Sequence, residues 1–149
     1  MTMEEGKIEA FKAKHPLQAF PWFRTLGRGD VRNVYSQLCR RVSLPEDADG
    51  LSLVRALEHT GEVLEQADLK CFPQDIEDAL SRHKIGVTTN VCVNWYRFDE
   101  IDELRFDDFL RWFPDLWYTA AEDPDIFDET LEWLLSIRHY GTFVLRRLG

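Results

Sequence analysis

The chain has 149 residues, 44% of them hydrophobic and 13% aromatic, and its formal net charge at pH 7 is −9. A chain of this length fits one domain, and so large an apolar fraction excludes wholesale disorder. We therefore expect a single domain spanning residues 1–149.

The N-terminal residues, the length of the apolar runs and the cysteines indicate the cellular location of the protein. The first residues carry two glutamates and no signal-like apolar stretch, and no run approaches the roughly 18 apolar residues of a membrane span. Cys39, Cys71 and Cys92 are odd in number, widely spaced and without a CxxC pair, which predicts reduced thiols. Together these features predict a cytoplasmic protein.

Helical spacing dominates the N-terminal half. A short helix over 5–14 ends before a proline, because the residue preceding proline is pushed out of the α region. Residues 31–42 place apolar side chains on one helical face, which predicts a helix with Asp30 as its N-cap. Weaker spacing over 52–64, and a stronger pattern over 73–86 with a proline in the first turn, predict two more helices.

The pattern becomes strand-like after residue 86. Residues 87–98, VTTNVCVNWYRF, are rich in β-branched and aromatic side chains and are predicted to form the central strand. The elements predicted after it are a helix over 106–113 stopped by Pro114, a strand over 116–119, a helix capped by Asp125 and running to Arg138, and a strand over 142–145. The predicted fold is α+β, with a helical N-terminal half packed on a small three-stranded, parallel or mixed sheet and two further helices.

The negative charge is concentrated in one segment. Residues 99–132 hold 13 acidic residues and two arginines, which gives a net charge of −11. A field of this sign repels nucleic acid and anionic lipid and attracts a basic protein. The acids predicted to bind a partner are Asp99, Glu100, Asp102, Glu103, Asp107 and Asp108. The alternative interpretation is a solvated loop followed by acids that favour a helix start.

A dense group of aromatic residues overlaps the acidic segment, and its spacing places most of the rings in the core. Trp112 and Trp117 fall off the predicted core faces and lie next to carboxylates. Aromatic anchors inside a polar rim dominate the binding energy of many interfaces. We therefore include both tryptophans in the predicted partner-binding surface.

No sequence motif indicates catalysis, a cofactor or a metal. GxSxG, GxGxxG and the P-loop pattern are absent, and the four histidines fall in different predicted elements. The acids lack the glycine of a calcium loop, and the separations of Cys39, His59, Cys71 and His83 match no compact zinc motif. We predict no catalytic residue, no metal site and no cofactor, with an anion at the turn over 27–30 as a weaker alternative.

The general plan, a small acidic α+β domain with tryptophans among its acids, resembles bacterial immunity proteins that neutralise basic toxins. The resemblance rests on this plan and not on a motif. It implies an acidic protein-binding module, an immunity or antitoxin-like inhibitor of a basic protein. Two alternatives stay open: a small hydrolase or transferase whose site is assembled from distant elements, and a structural subunit of a complex.

Overall fold

The computed structural model describes residues 5–118 and 121–148. In chain order its elements are α1 (Glu5–Lys14), β1 (Phe23–Thr25), α2 (Arg28–Arg41), α3 (Gly50–His59), β2 (Glu62–Asp68), α4 (Gln74–Arg82), β3 (Asn90–Tyr96), β4 (Glu100–Arg105), α5 (Phe106–Leu116), β5 (Asp125–Phe127), β6 (Trp133–Ile137) and β7 (Thr142–Arg147). No helix in these two ranges is long and apolar enough to cross a membrane.

The strands pair into one antiparallel sheet. Within the described residues it has seven strands in the order β1-β4-β3-β5-β6-β7-β2. The predicted three-stranded, parallel or mixed sheet is therefore wrong. That prediction paired strands directly across a helix, whereas β4 and β5, which flank α5 in sequence, each pair with β3 instead. Short turns join β3 to β4 and β6 to β7, and such hairpins allow only antiparallel pairing.

Helices cover both faces of the sheet. On one face α1, α4 and α5 pack against strand side chains such as Val93 and Leu135. On the other face α2 and α3 pack against Cys92 and Leu134. Successive strand residues point to opposite faces, so sequence neighbours enter different cores. The central strands are consequently buried on both sides.

The segment 125–137 shows why the sheet was underpredicted. The prediction is one helix capped by Asp125, but the chain forms β5 and β6 there. Every residue of β6 is buried, so the alternation of polar and apolar side chains is missing. A short, continuously apolar run cannot be told from a helix by its periodicity alone.

The prediction also misses β2 and β4. The helix predicted over 52–64 ends at His59, because the backbone at Gly61 takes a φ of +88°, which is incompatible with a right-handed helix. A Cβ at Gly61 would lie 2.8 Å from the Arg147 carbonyl oxygen, so the close approach of these two segments also requires glycine. The segment 62–68 that follows is an edge strand. β4 lies in the acidic stretch, for which the sequence predicts no strand, and it buries Ile101 and Leu104 between its charged residues.

The boundaries around α5 differ from the prediction as well. The helix predicted over 106–113 continues through Pro114 and ends at Leu116. The strand predicted over 116–119 is therefore wrong for its described residues, because Trp117 and Tyr118 follow the helix without forming a strand. Thr119 lies outside the described residues.

Several predicted elements are confirmed, namely the helices over 5–14, 31–42 and 73–86, the strand within 87–98 and the last strand, which are α1, α2, α4, β3 and β7. The sequence predicts the strand within 87–98 to be central, but β3 is third in the order of the described strands and β5 occupies the middle. α2 begins earlier than predicted, because Gly27 is its N-cap and Asp30 lies in its first turn. α3 begins at Gly50, and Asp49 caps it by accepting a hydrogen bond from the Ser52 N–H.

Candidate functional site

The acids predicted to bind a partner do not line one pocket. Asp99 and Glu100 are exposed where the β3–β4 turn enters β4, and Asp107 and Asp108 lie in the first turn of α5. Glu100 lines the cleft described below, whereas Asp99 lines a separate hollow beside α2. Neither hollow is lined by Asp107 or Asp108.

Asp102 and Glu103 point to opposite faces of the sheet. Asp102 is only 3% exposed, and its carboxylate accepts hydrogen bonds from Thr25 Oγ1 at 2.6 Å and Trp95 Nε1 at 2.8 Å. Burial raises the pKa of Asp102, and these two hydrogen bonds oppose the rise. Glu103, on the other face, pairs with Arg24. The Asp102 carboxylate is therefore out of reach of a partner.

Both predicted aromatic anchors are half-buried and pack on the core. Trp112 makes edge contacts with Phe11 and His15, with ring centroids 5.1 and 4.9 Å apart. Trp117 stacks on Phe113 at 5.7 Å, and its Nε1 donates a hydrogen bond to the Glu122 carbonyl oxygen. Their rings hold α1, α5 and the segment after α5 together.

An open cleft of about 470 Å³ lies among α3, the β3–β4 turn and the segment 121–125. We call it the acidic cleft. Leu51, Val54, Trp95 and Tyr96 supply its apolar surface. Its charged lining residues, among those described, are Glu58, Arg97, Glu100, Glu122, Asp123, Asp125 and Arg138. Five acidic residues and two arginines therefore line one concave surface.

Asp125 forms the floor of the acidic cleft. It is 5% exposed and accepts hydrogen bonds from Ser136 Oγ at 2.6 Å and Asn94 Nδ2 at 3.1 Å. Burial raises the pKa of Asp125, against the opposing effects of the Arg138 charge and these hydrogen bonds. A buried carboxylate in a cleft is a feature shared by many functional sites.

Arg138 bridges the floor and the rim of the acidic cleft. Its guanidinium lies 3.5 Å from Asp125 Oδ1 and 3.6 Å from Glu58 Oε1, and it donates a hydrogen bond of 3.2 Å to the Asp123 carbonyl oxygen. Both ion pairs are longer than a charge-assisted hydrogen bond of about 2.7–2.9 Å. Glu58, whose side chain is 43% exposed, thus keeps acceptor capacity for a second cation.

Arg146 lies beneath Glu58 and donates a 3.0 Å hydrogen bond to the carbonyl oxygen of that residue. Its Nε is buried without a hydrogen-bond partner within the described structure. Burial lowers the pKa of Arg146, and the charge of Arg138 lowers it further. Arg138 and Arg146 therefore lie side by side in the wall between α3 and the sheet, with Glu58 and Asp125 beside them.

Two close contacts position the rim. Asn94 Oδ1 accepts a 2.7 Å hydrogen bond from the Phe98 N–H, which fixes the β3–β4 turn. Gly50, the first residue of α3, lies so close to this turn that a Cβ would come within 2.8 Å of the Arg97 Cβ and 2.9 Å of the Arg97 carbonyl oxygen. Glycine therefore allows α3 and the turn to meet at the edge of the cleft.

Nucleophilic or metal chemistry has little geometric support in the described residues. His15, His83 and His139 each pair with a carboxylate, on Asp115, Glu65 and Asp123 respectively. Cys39 and Cys92 are buried, and burial raises the pKa of Cys92 to about 12, which disfavours the thiolate. No group of three or more described His, Cys, Asp or Glu residues could hold a metal ion.

Sequence reasoning found only Glu100 of the acidic cleft. Asn94 and Ser136 each interrupt an apolar strand with one polar residue, which is the signal that could have identified the floor. At Ser136 and Asp125 this signal is hidden, because the sequence predicts a helix in that segment and not two strands. Glu58 and Arg138 come from distant elements, so nothing in their local sequence links them.

Comparison of the chain with protein-family models, with curated proteins and with solved structures finds no match.

Proposed function

We propose that this protein binds a basic protein partner, as an inhibitor of the immunity or antitoxin type, and that the acidic cleft receives cationic side chains of that partner. The observation that carries the proposal is the excess of carboxylates in one concave surface, five against the guanidinium groups of Arg97 and Arg138 and the Lys7 ammonium that pairs with Glu122. Clustered charge of one sign raises association rates and selects partners of the opposite sign.

The rim of the acidic cleft supports the same proposal. Tyr96 is 57% exposed, and Leu51 is also exposed, so apolar anchors stand beside Glu58 and Glu100. Interfaces concentrate binding energy in such anchors, and the surrounding polar groups exclude water and set orientation. A reducing compartment such as the cytoplasm suits the free, exposed thiol of Cys71.

A matched pair of charge variants tests the proposal. One variant removes three cleft charges, with Glu58→Gln, Glu100→Gln and Asp123→Asn. The control removes three acids outside the acidic cleft, with Asp99→Asn, Asp107→Asn and Asp108→Asn. A partner is captured from the native host and its association is measured by surface plasmon resonance at two salt concentrations.

We expect the cleft variant to associate about tenfold more slowly at low salt, with a flatter salt dependence, and the control to change little. Tyr96→Ala should instead speed dissociation by roughly tenfold or more, because an aromatic anchor that the partner covers stabilises the complex after the two proteins have met. An acidic partner, or equal rates for the two charge variants, would contradict the proposal. If the control variant associates slowly and the cleft variant associates at the normal rate, the partner binds the acids predicted from sequence and not the acidic cleft.

A small hydrolase or transferase is the second candidate. The observation that favours it is Asp125, a buried carboxyl with a raised pKa beside Arg138 on the floor of an open cleft. Chromogenic esters, phosphate esters and glycosides are the substrates to screen. Turnover that Asp125→Asn abolishes, with the fold intact, would replace binding by catalysis as the function.

A further inference from the structure

The ammonium of Lys7 lies in a cage built from residues far from it in sequence. Lys7 is 2% exposed, and its Nζ lies 4.3 Å from the ring centroid of Trp95 and 3.7 Å from that of Tyr118. The Nζ also donates hydrogen bonds to Glu122 Oε1 at 2.5 Å and to the Leu116 carbonyl oxygen at 2.8 Å. Two aromatic faces, a carboxylate and a carbonyl are the groups with which proteins recognise ammonium ions.

Two walls of this cage, Trp95 and Glu122, are held by contacts that do not involve α1. Trp95 is fixed by its hydrogen bond to Asp102 and by stacking on Phe113, with centroids 6.2 Å apart. Glu122 is fixed through its backbone and its side chain. Its carbonyl oxygen accepts a hydrogen bond from Trp117 Nε1, and its Oε1 accepts a hydrogen bond of 3.0 Å from the Tyr118 N–H. Trp95 and Glu122 therefore keep their supports when α1 contributes no side chain.

The cage adjoins the acidic cleft, because Trp95 and Glu122 belong to both. We propose that the cage is a binding site for a primary ammonium group, that Lys7 fills it in the free protein, and that a lysine side chain of the basic partner competes with Lys7 for it. The last clause rests on the proposed function; the ammonium site itself does not.

The geometry gives the site its selectivity. Two of the three ammonium N–H groups have acceptors at 2.5 and 2.8 Å, which a quaternary ammonium cannot use. A planar guanidinium carries its donors in a fixed fork and does not fit a compact cage shaped by an ammonium. A primary ammonium should therefore bind more tightly than either.

Chemical rescue tests the ammonium site. Lys7→Ala leaves the Glu122 carboxylate without its cation and should lower the melting temperature. Added n-butylammonium should raise it by roughly 3–6 °C for each tenfold increase above the dissociation constant, whereas n-butyltrimethylammonium and guanidinium at equal ionic strength should not. If Lys7→Ala is unfolded, the same titration is followed by circular dichroism as ligand-driven folding.

The double variant Lys7→Ala with Glu122→Gln is the matched control, because it removes the uncompensated negative charge of Glu122 while keeping the size of its side chain. It should respond to none of the three cations. Failure of n-butylammonium to stabilise Lys7→Ala, or equal stabilisation by the quaternary ion, would overturn the ammonium site.

Competition by Lys7 is tested with tetralysine and tetraarginine. Removing an internal occupant raises apparent affinity, so Lys7→Ala should bind tetralysine at least about tenfold more tightly than the unmodified chain, with tetraarginine affinity unchanged. Equal tetralysine affinities would overturn the competition. Loss of the proposed function would look different, because tetralysine would then fail to bind the unmodified chain and would bind Lys7→Ala no more tightly than n-butylammonium does, while rescue by n-butylammonium persisted.

Discussion

Ser136 Oγ donates a 2.6 Å hydrogen bond to Asp125 Oδ1, and the two residues are directly opposite each other in the pairing of β6 with β5. The same carboxylate accepts from Asn94 on the other side, so one buried acid links three neighbouring strands through side chains. Its burial is tolerated because each oxygen has a donor. The floor of the acidic cleft is thus part of the central sheet.

Ser136→Ala should lower the free energy of unfolding by about 1–3 kcal/mol, because it removes a donor from a buried carboxylate and leaves that oxygen poorly satisfied. Urea denaturation checks the prediction. Ser81→Ala, on the exposed face of α4, is the control and should change stability by less than about 0.5 kcal/mol. Equal losses for the two variants would mean that Asp125 does not depend on Ser136.

Gly50→Ala should cost about 1–3 kcal/mol, because the added Cβ meets the Arg97 backbone oxygen at 2.9 Å and α3 or the β3–β4 turn must shift. Gly29→Ala in α2 is the matched control, since a Cβ there meets nothing within 4 Å. The control should gain up to about 1 kcal/mol from helix propensity. Opposite signs in thermal or urea melts are expected, and a stabilised Gly50→Ala would show that the close approach is wrong.

Leu38→Ala should destabilise the protein by about 2–5 kcal/mol, because Leu38 is fully buried between α2 and the sheet and its truncation leaves a cavity. Leu17→Ala removes the same atoms from a fully exposed position and should change stability by less than about 0.5 kcal/mol. The two urea melts measure the difference. A loss below about 1 kcal/mol at Leu38 would contradict its place in the core.

Asp102 and Glu65 should affect the pH dependence of stability in opposite directions. Burial raises the pKa of Asp102 above 3.8, so its folded form binds a proton more tightly than the unfolded chain does. Stability therefore falls as pH rises from about 3.8 through the raised pKa. Asp102→Asn removes this titration, and the native chain should lose stability relative to the variant over that window.

The Glu65 contribution has the other sign. A hydrogen bond from Arg82 lowers the pKa of Glu65 below 4.5, so its stabilisation is present above that pH and is lost as pH falls through the lowered pKa. The difference between the native chain and Glu65→Gln should therefore shrink on acidification. Urea melts at several pH values check both variants, and slopes of the same sign would contradict the assignment.

The local sequence was enough to identify elements with a single periodic signal. α2 was predictable because its apolar residues share one helical face, and β3 because its β-branched and aromatic residues favour an extended chain. The charge of segment 99–132 also follows from the sequence alone, and with it the expectation of a basic partner. Each of these properties depends on residues that are close together in the chain.

Tertiary structure alone decided the size of the sheet and the place of the site. The residues of β6 are buried on both faces by helices from elsewhere in the chain. Its sequence therefore lacks the alternation of polar and apolar residues that identifies a strand with one exposed face. Asp102 and Glu103 are adjacent acids, but pairing of β4 with β1 and β3 turns one into the core and the other away. Lys7, Glu58 and Asp125 lie in separate elements, and only folding brings their charges to the acidic cleft and the adjoining cage, because ion pairing acts through space and leaves no local pattern in the sequence.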